Sequence, residues 1–310
     1  MAVNMKGKDI ISIHELSREE IDQVLDTAMI LKMKNKLGEI YHPLKGKTLG
    51  MIFQKSSTRT RVSFEVGIWQ LGGYGLFLSA SDLQLKRGET VADTARNLSR
   101  YLDGIMIRTY AHQDVVDFAE YSSIPVINGL TDLLHPCQVL SDLFTIQEKK
   151  QTLKNLKLAY IGDGNNMAHS LLFGAAKVGM DIFICSPSGF EPDSEITRLA
   201  RLDASKTGAK IIINNDPAQA AQSADIIYTD VWTSMGMEGE EEKRLQSFSK
   251  YQVNSALLEK AKEDVLVMHC LPAHRGEEIT GEVIDGPHSI VFDQAENRLH
   301  VQKAIMALIM

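Results

Sequence analysis

TLGMIFQKSSTRTRVSFEVGIWQLGG, residues 48–73, contains an apolar run, a polar corner and an amphipathic segment, in that order. The apolar run has the length of a buried strand, and Val62, Val66 and Trp69 recur at helical spacing until two glycines follow. The stretch therefore predicts a strand joined to a helix by a turn rich in serine, threonine and arginine. A strand followed by a helix is the repeating unit of a parallel α/β sheet.

The same alternation continues along the whole chain. Further apolar runs begin at residues 75, 104, 124, 156, 181, 210, 225 and 264, with helical patterns or turns between them. A chain of 310 residues exceeds the size at which one core usually stops growing. We therefore expect an α/β protein with two doubly wound parallel-sheet domains. The predicted domains are 1–148, to which a terminal helix of about 290–310 returns, and 149–289.

Composition excludes several classes of protein. The chain is 44% hydrophobic and 24% charged, as is ordinary for a globular protein, and it has no apolar stretch of bilayer length. Its net charge of -7 gives no general attraction for nucleic acid or anionic lipid. Three separated cysteines indicate no disulfide framework, and the first 20 residues lack a secretory core. We expect a cytoplasmic protein with neither a nucleic-acid nor a membrane partner.

Cationic and hydroxyl side chains follow the strands of the first half. Ligands of open parallel sheets bind beyond the carboxyl ends of the strands. The residues in those positions are Ser56, Ser57, Thr58, Arg59, Thr60, Arg61, Arg108, His135 and Gln138. Arginines beside a helix N-terminus suit a phosphate or a carboxylate, and an arginine pair suits a doubly charged oxyanion. The alternative is that Ser57 only caps the helix and that the arginines are surface charges.

The strands of the second half are followed by an acid, amides and a thiol. The residues are Asn165, Asn166, Asp230, Ser234, Met235, Cys270 and Leu271. This set suits an amino-acid-like ligand, because Asp230 can hold an ammonium while Asn166 and Ser234 offer hydrogen bonds. The alternatives are turn and cap roles for the polar residues and a small buried hydrophobe for Cys270.

Several cofactor classes are disfavoured by their missing motifs. The phosphate-binding pattern GxxxxGK[ST] does not occur. The stretch GDGNN at 162–166 lacks the third glycine of a dinucleotide site, and the next strand has no acidic ribose partner. His269, Cys270 and His274 do not have a standard metal-ligand spacing. We expect neither a cofactor nor a metal.

Four segments together resemble the aspartate/ornithine carbamoyltransferase family. They are SSTRT at 56–60, HPCQ at 135–138, DVWTSMG at 230–236 and HCLPAHRGEEI at 269–279. They occur in the family's order and cover both halves of the chain. The SMG and HCLP segments are typical of the ornithine-using members, whereas the aspartate-using members have HPLPR in place of HCLP.

The resemblance implies a carbamoyl-phosphate domain followed by an ornithine domain, in trimers or multiples of trimers with active sites between subunits. The residues implied for carbamoyl phosphate are Ser57, Thr58, Arg59, Thr60, Gln84 from a neighbouring subunit, Arg108, His135, Gln138, Cys270, Leu271 and Arg298. Those implied for ornithine are Asn166, Asp230, Ser234 and Met235. The expected catalytic residues are Arg59, Arg108, His135, Asp230 and Cys270.

The implied reaction is attack of the side-chain amine of L-ornithine on the carbonyl carbon of carbamoyl phosphate. Fixed donors would stabilise the tetrahedral oxyanion, and the helix N-terminus would stabilise the departing phosphate. Two alternatives are a carbamoyltransferase for another amine, such as putrescine, and a non-catalytic binding homologue. The presence of Arg59, Arg108 and His135 together disfavours the non-catalytic alternative.

Overall fold

The computed structural model describes residues 3–79, 83, 88–233, 239 and 241–310. The strands are β1 (Thr48–Phe53), β2 (Tyr74–Ser79), β3 (Gly104–Arg108), β4 (Val126–Leu130), β5 (Lys157–Ile161), β6 (Asp181–Cys185), β7 (Ile211–Asn214), β8 (Ile226–Thr229) and β9 (Leu266–His269). The α-helices of the first half are α1 (Arg18–Lys36), α2 (Thr58–Gln70), α3 (Val91–Leu98), α4 (His112–Tyr121) and α5 (Pro136–Lys150). Those of the second half are α6 (Asn166–Val178), α7 (Ser194–Thr207), α8 (Pro217–Ala221), α9 (Glu241–Phe248), α10 (Ser255–Leu258), α11 (Gly281–Ile284) and α12 (Val291–Ile309).

The chain forms two compact units. The first comprises Met1–Phe144 and Glu296–Met310, and the second comprises Thr145–Ala295. Every pairing between neighbouring strands is parallel. The predicted fold class, two parallel-sheet α/β domains with a C-terminal helix, is confirmed. Within the described part of the chain, no helix is both long and apolar enough to cross a membrane.

Each sheet reverses its winding direction once. The strand order of the first sheet is β2-β1-β3-β4, so the chain adds β2 on one side of β1 and then crosses to β3 on the other. The order of the second sheet is β7-β6-β5-β8-β9, which places its reversal between β5 and β8. Ligands of open α/β sheets bind at the carboxyl ends of the strands beside such a reversal. The fold therefore predicts one ligand-binding corner in each unit.

Helix α2 begins where the sequence predicts. The spacing of Val62, Val66 and Trp69 places residues 57–60 at or just before the N-terminus of a helix, and the structure begins the helix at Thr58. Ser57 is the N-cap, and its Oγ accepts a hydrogen bond from the backbone N–H of Thr60 at 3.2 Å. The polar corner is therefore part of the first helical turn, which presents N–H groups without carbonyl partners inside the helix.

The terminal helix α12 packs closely against α2 in the first unit. A Cβ atom added at Gly67 would lie 3.0 Å from Met306 Cε and 3.2 Å from Lys303 Cγ. The absence of a side chain at Gly67 thus allows the two helices to approach. Ala304 and Ile305 are fully buried on α12. This packing brings the residues of the C-terminal helix back to the first sheet.

Candidate active site

Side chains from α2, β3, α5 and α12 meet beside the reversal of the first sheet. Thr60 Oγ1 accepts hydrogen bonds from Arg298 Nη2 at 2.8 Å and from Arg108 Nη1 at 3.4 Å. Arg298 Nη1 also donates to Gln138 Oε1, and Gln138 Nε2 donates to Asp142 Oδ1 at 2.8 Å. We call the group the basic corner and define it as Ser57, Thr58, Arg59, Thr60, Arg108, His135, Gln138 and Arg298.

The charged groups of the basic corner are largely removed from water. Arg108 is 8% exposed and Arg298 is 4% exposed. Burial and the three arginines Arg298, Arg108 and Arg59 hold the pKa of His135 well below its ordinary 6.5. The imidazole is therefore neutral, and the corner concentrates guanidinium charge in a setting of low dielectric. Such a setting strongly favours an anionic ligand.

The loop after β1 is fixed to the end of β3. Arg108 Nε donates to the carbonyl oxygen of Lys55 at 3.2 Å, so the guanidinium contacts both the loop and Thr60. Ser57 makes the cap bond that the sequence suggested as an alternative. The cap and an anion site are compatible, because Arg59 lies in the first turn that the cap holds. Arg59 is half-buried, and Thr58 is exposed.

Cys137 has a structural environment despite its place in the HPCQ segment. Its side chain is fully buried, and its Sγ donates to the carbonyl oxygen of Asn128 at 3.3 Å. Burial raises the pKa of this thiol to about 12. The thiolate is therefore strongly disfavoured, and Cys137 serves in packing rather than as a nucleophile.

A second group of polar side chains meets beside the reversal of the second sheet. Asp230 Oδ2 accepts a hydrogen bond from Asn165 Nδ2 at 3.0 Å. Asp230 Oδ1 accepts from Cys270 Sγ at 3.0 Å and from the backbone N–H of Val231 at 2.8 Å. We call this group the Asp230 corner and define it as Asn165, Asn166, Asp230, Cys270 and Leu271. It presents a buried, oriented carboxylate, which suits an ammonium ligand.

Asn165 follows a strand of the second half, as the sequence predicts, but it was not among the residues expected to bind ornithine. It is the N-cap of α6, and its Oδ1 accepts from the backbone N–H groups of Met167 and Ala168 at 2.9 and 3.3 Å. The cap leaves its Nδ2 directed to Asp230. Asn166, the residue expected from the sequence, is the first residue of α6 and is half-buried. Two adjacent asparagines at a strand end give no sequence signal for which one contacts the acid.

The Cys270–Leu271 turn is held by a buried His–Glu pair. His269 Nδ1 accepts from the backbone N–H of Leu271 at 2.8 Å, and His269 Nε2 lies 3.0 Å from Glu278 Oε1. Both side chains are fully buried. This pattern places the imidazole proton on Nε2 and supports Leu271, whose φ of +59° is uncommon for a branched residue. His269 and Glu278 therefore shape the loop that carries Cys270.

Among the described residues, two groups of side chains have the proximity that a metal site needs. One is Asp230, His269 and Cys270, and the other is His274, Glu277 and Glu278, with ligand atoms of each group within 4.8 Å of one another. In the first group, both ring nitrogens of His269 already have hydrogen-bond partners. A metal there would have to replace one of those bonds. The expectation that the protein uses no metal remains a prediction.

Three expected site residues, Gln84, Ser234 and Met235, lie outside the described residues. The described residues Trp232 and Arg244, which lie on either side of Ser234 and Met235, are joined to each other and to the loop that follows β5. Arg244 Nη1 donates to Asp163 Oδ2 and to the carbonyl oxygen of Trp232, each at 2.8 Å. The ion pair joins α9 to the loop that follows β5.

Two family models match successive parts of the chain. The model described as "Aspartate/ornithine carbamoyltransferase, carbamoyl-P binding domain" matches residues 8–148. The model described as "Aspartate/ornithine carbamoyltransferase, Asp/Orn binding domain" matches residues 154–309. Arg298 lies in the second matched stretch, so the basic corner contains residues of both matches. The Asp230 corner lies entirely within the second match.

Relatives over the full length carry the same family name. A protein of Oceanobacillus iheyensis named ornithine carbamoyltransferase is 60% identical over 99% of this chain and 95% of its own length. One of Pyrococcus furiosus named "Ornithine carbamoyltransferase, anabolic" is 54% identical over 100% of this chain and 98% of its own. The solved structure of ornithine carbamoyltransferase from Pyrococcus furiosus has a TM-score of 0.97 at 54% identity and covers 100% of this chain and 99% of that one. The chain belongs to the aspartate/ornithine carbamoyltransferase family.

Proposed function

We propose that this protein transfers the carbamoyl group of carbamoyl phosphate to the side-chain amine of L-ornithine, which gives L-citrulline and phosphate. The observation that carries the proposal is the buried basic corner, in which Arg108 and Arg298 share the hydroxyl of Thr60. Family membership and full-length relatives named for this reaction support it. Neither alternative, another amine acceptor or a non-catalytic homologue, is favoured by any relative described above.

The basic corner is the proposed site of carbamoyl phosphate. Ser57, Thr58, Arg59 and Thr60 hold the phosphate at the N-terminus of α2, where the helix dipole and the arginine favour negative charge. Arg108, His135 and Gln138 contact the carbamoyl and phosphate oxygens. Arg298 completes the corner, and Cys270, Leu271 and Gln84 are further proposed contacts. Since its pKa is depressed, the neutral His135 can donate one N–H without adding a charge.

The proposed chemistry follows from these donors. The neutral amine of ornithine forms a bond to the carbonyl carbon, and the carbonyl electron pair moves to oxygen. Thr60, Arg108 and His135 stabilise the resulting oxyanion with fixed donors in a buried setting. Collapse of the intermediate breaks the bond between carbon and the phosphate oxygen. Arg59 and the helix N-terminus stabilise the phosphate, which departs with that electron pair and takes up the proton that the amine nitrogen loses.

The Asp230 corner is the proposed site of the amino-acid end of ornithine. Both oxygens of Asp230 accept hydrogen bonds, so the carboxylate is fixed and its charge directed at a ligand. We assign Asp230 to the α-ammonium, and Asn166, Ser234 and Met235 are the further residues proposed to bind ornithine. Cys270 donates to the same carboxylate and orients it.

The proposal extends to assembly, pathway and compartment. Strand β2 is an edge of the first sheet, and its Tyr74 is 66% exposed beside the partly exposed Leu76 and Phe77. An apolar edge strand suits coverage by another copy of the chain, which supports self-association, and we propose the homotrimer that the family resemblance implies. A trimer predicts a particle of three times 34.4 kDa in light scattering.

A role in arginine biosynthesis is supported by the relative named anabolic, and we propose a cytoplasmic location.

A matched pair of arginine substitutions tests the function. We expect Arg59→Ala to lower citrulline formation by about 10²-fold or more, because it removes a charged donor from the departing phosphate. Arg18→Ala serves as the control, since Arg18 lies on α1 and pairs with Asp22 at the surface. Near-normal turnover of the folded Arg59→Ala variant would refute the assignment of the basic corner.

A further inference from the structure

A cavity of about 660 Å³ lies in the first unit, away from the residues of the basic corner. It is formed by the end of α1, the loop that follows, the end of α2 and one residue of α12. The lining residues that matter here are Lys34, Tyr41, Lys45, Trp69, Gln70 and Lys303. Nothing in the proposed reaction uses any of them.

Lys303 is a buried cation at the wall of this cavity. It is 4% exposed, and its Nζ donates to Gln70 Oε1 at 2.8 Å. The Gln70 amide is neutral, so this hydrogen bond gives one ammonium proton an acceptor but does not balance the positive charge of Lys303. Burial lowers the pKa of Lys303, as expected for an ammonium held away from water. An anion in the cavity would supply the counter-charge that a buried ammonium needs.

The remaining charges of the cavity are mostly positive. Lys34 and Lys45 add two cations, and Glu39 adds one acid, which pairs with Lys34. Lys45 is exposed at the opening. The cavity lining therefore contains one carboxylate, that of Glu39, and three lysines, Lys34, Lys45 and Lys303. The net charge of these groups favours an anionic ligand rather than a cationic one.

The negative end of α2 does not cancel this charge. Its terminal carbonyls at Ile68 and Trp69 accept hydrogen bonds from the backbone N–H groups of Gly73 and Gly72, both at 2.9 Å. These carbonyls are thus satisfied by the chain itself. The side-chain ammonium groups remain as the strongest charges on the cavity wall.

Two aromatic side chains give the cavity flat apolar surfaces. Trp69 is 72% exposed, and Tyr41 is also exposed with Lys34 Nζ 5.2 Å from its ring centroid. A large exposed indole beside a cavity is typical of a site that stacks a planar ligand. The anionic group and the ring of one small molecule can therefore be held together, the first by Lys303 and the second by Trp69.

We propose that this cavity is a binding site for a small aromatic anion, either an aromatic carboxylate or an aromatic phosphate ester. The shared chemistry is a ring that lies on Trp69 and an anionic group that contacts Lys303. The inference does not depend on the proposed transferase activity. The same two helices carry Thr60 and Arg298, so an occupant would contact elements that also build the basic corner.

Tryptophan fluorescence tests the site directly, because the chain has only two tryptophans and Trp232 is 3% exposed. The full-length protein is titrated separately with phenyl phosphate, benzoate and inorganic phosphate. We expect a saturable change with one or both aromatic anions and a much weaker response to inorganic phosphate. Comparison of phenyl phosphate with benzoate distinguishes the phosphate ester from the carboxylate.

Three variants show which residues the fluorescence change depends on. Trp69→Phe should abolish it, and Lys303→Met, which keeps the length of the side chain, should weaken affinity about tenfold or more. Arg59→Ala should leave it unchanged, since Arg59 belongs to the basic corner. The proposal is overturned if neither aromatic anion gives a saturable change, if folded Lys303→Met binds as tightly as the parent, or if Arg59→Ala abolishes binding.

Discussion

Arg298 Nη2 donates to Thr60 Oγ1 at 2.8 Å, although the two residues are 238 positions apart in the chain. The contact exists because α12 packs against α2 at Gly67. The basic corner is therefore complete only when the C-terminal helix has returned to the first unit. Residues that lie far apart in the sequence thus form one proposed anion site.

Removal of the Thr60 hydroxyl should damage this site without removing a charge. Thr60→Val keeps the side-chain shape but takes away the acceptor that Arg108 and Arg298 share. We expect kcat/KM for carbamoyl phosphate to fall about 10²-fold. Steady-state kinetics with circular dichroism as a folding control measures this, and Thr27→Val, on α1 and outside the basic corner, is the matched control. Equal effects of the two substitutions would contradict the role of Thr60.

The second sheet offers a matched test of Asp230. Asp230→Asn removes the carboxylate charge proposed to hold ornithine, so KM for ornithine should rise about 10²-fold while KM for carbamoyl phosphate changes little. Asp225→Asn is the control, because Asp225 is similarly buried at the other end of β8 and pairs with Lys262 at 2.7 Å. Loss of carbamoyl phosphate affinity in Asp230→Asn would count against the division of roles between the two corners.

The depressed pKa of His135 has a consequence for stability. Below pH 6.5 the unfolded chain takes up a proton at this residue that the folded chain does not, so stability falls as pH falls below 6.5 and is independent of His135 above it. His135→Gln should flatten this decline by up to about 1.4 kcal/mol per pH unit. Urea unfolding between pH 5.5 and 7.5 measures the slope, and an unchanged slope would show that the imidazole titrates alike in both states.

The buried pair of Arg244 and Asp163 should matter for folding of the second unit. Arg244→Met leaves a buried carboxylate without its guanidinium, which typically costs about 3–5 kcal/mol. Arg198→Met is the control, since its pair with Glu195 is exposed. Thermal unfolding should show a clear loss of stability for the first and no measurable change for the second. Similar transitions in both would mean that the buried pair is dispensable.

The fold class was readable from the sequence because the strands are short apolar runs at regular spacing. The spacing of Val62, Val66 and Trp69 also placed residues 57–60 at or just before the start of α2, where the structure has it. The same spacing did not identify the buried side of the helix, because Val62 and Trp69 are exposed whereas Phe64 and Ile68 are fully buried. Regular apolar spacing therefore indicated that a helix forms but not which of its sides packs against the core.

The corner residues were predictable to different degrees. Those that directly follow strands, such as Arg108 and Asp230, could be found from the rule that ligands bind at strand ends. Arg298 lies in the middle of a terminal helix, so only family resemblance pointed to it. Asn165 was placed after a strand but not among the ornithine residues, because the choice between adjacent asparagines depends on which one caps α6. Local sequence does not show which distant helix returns to a site, nor which of two adjacent residues caps a helix.

The most direct measurement is citrulline formation from carbamoyl phosphate, with ornithine and putrescine compared as acceptors in the presence of EDTA. We expect robust product with ornithine, little product with putrescine and no effect of the chelator. Product with putrescine alone would contradict the assignment of the Asp230 corner. No product with either acceptor would contradict the proposed transferase function itself.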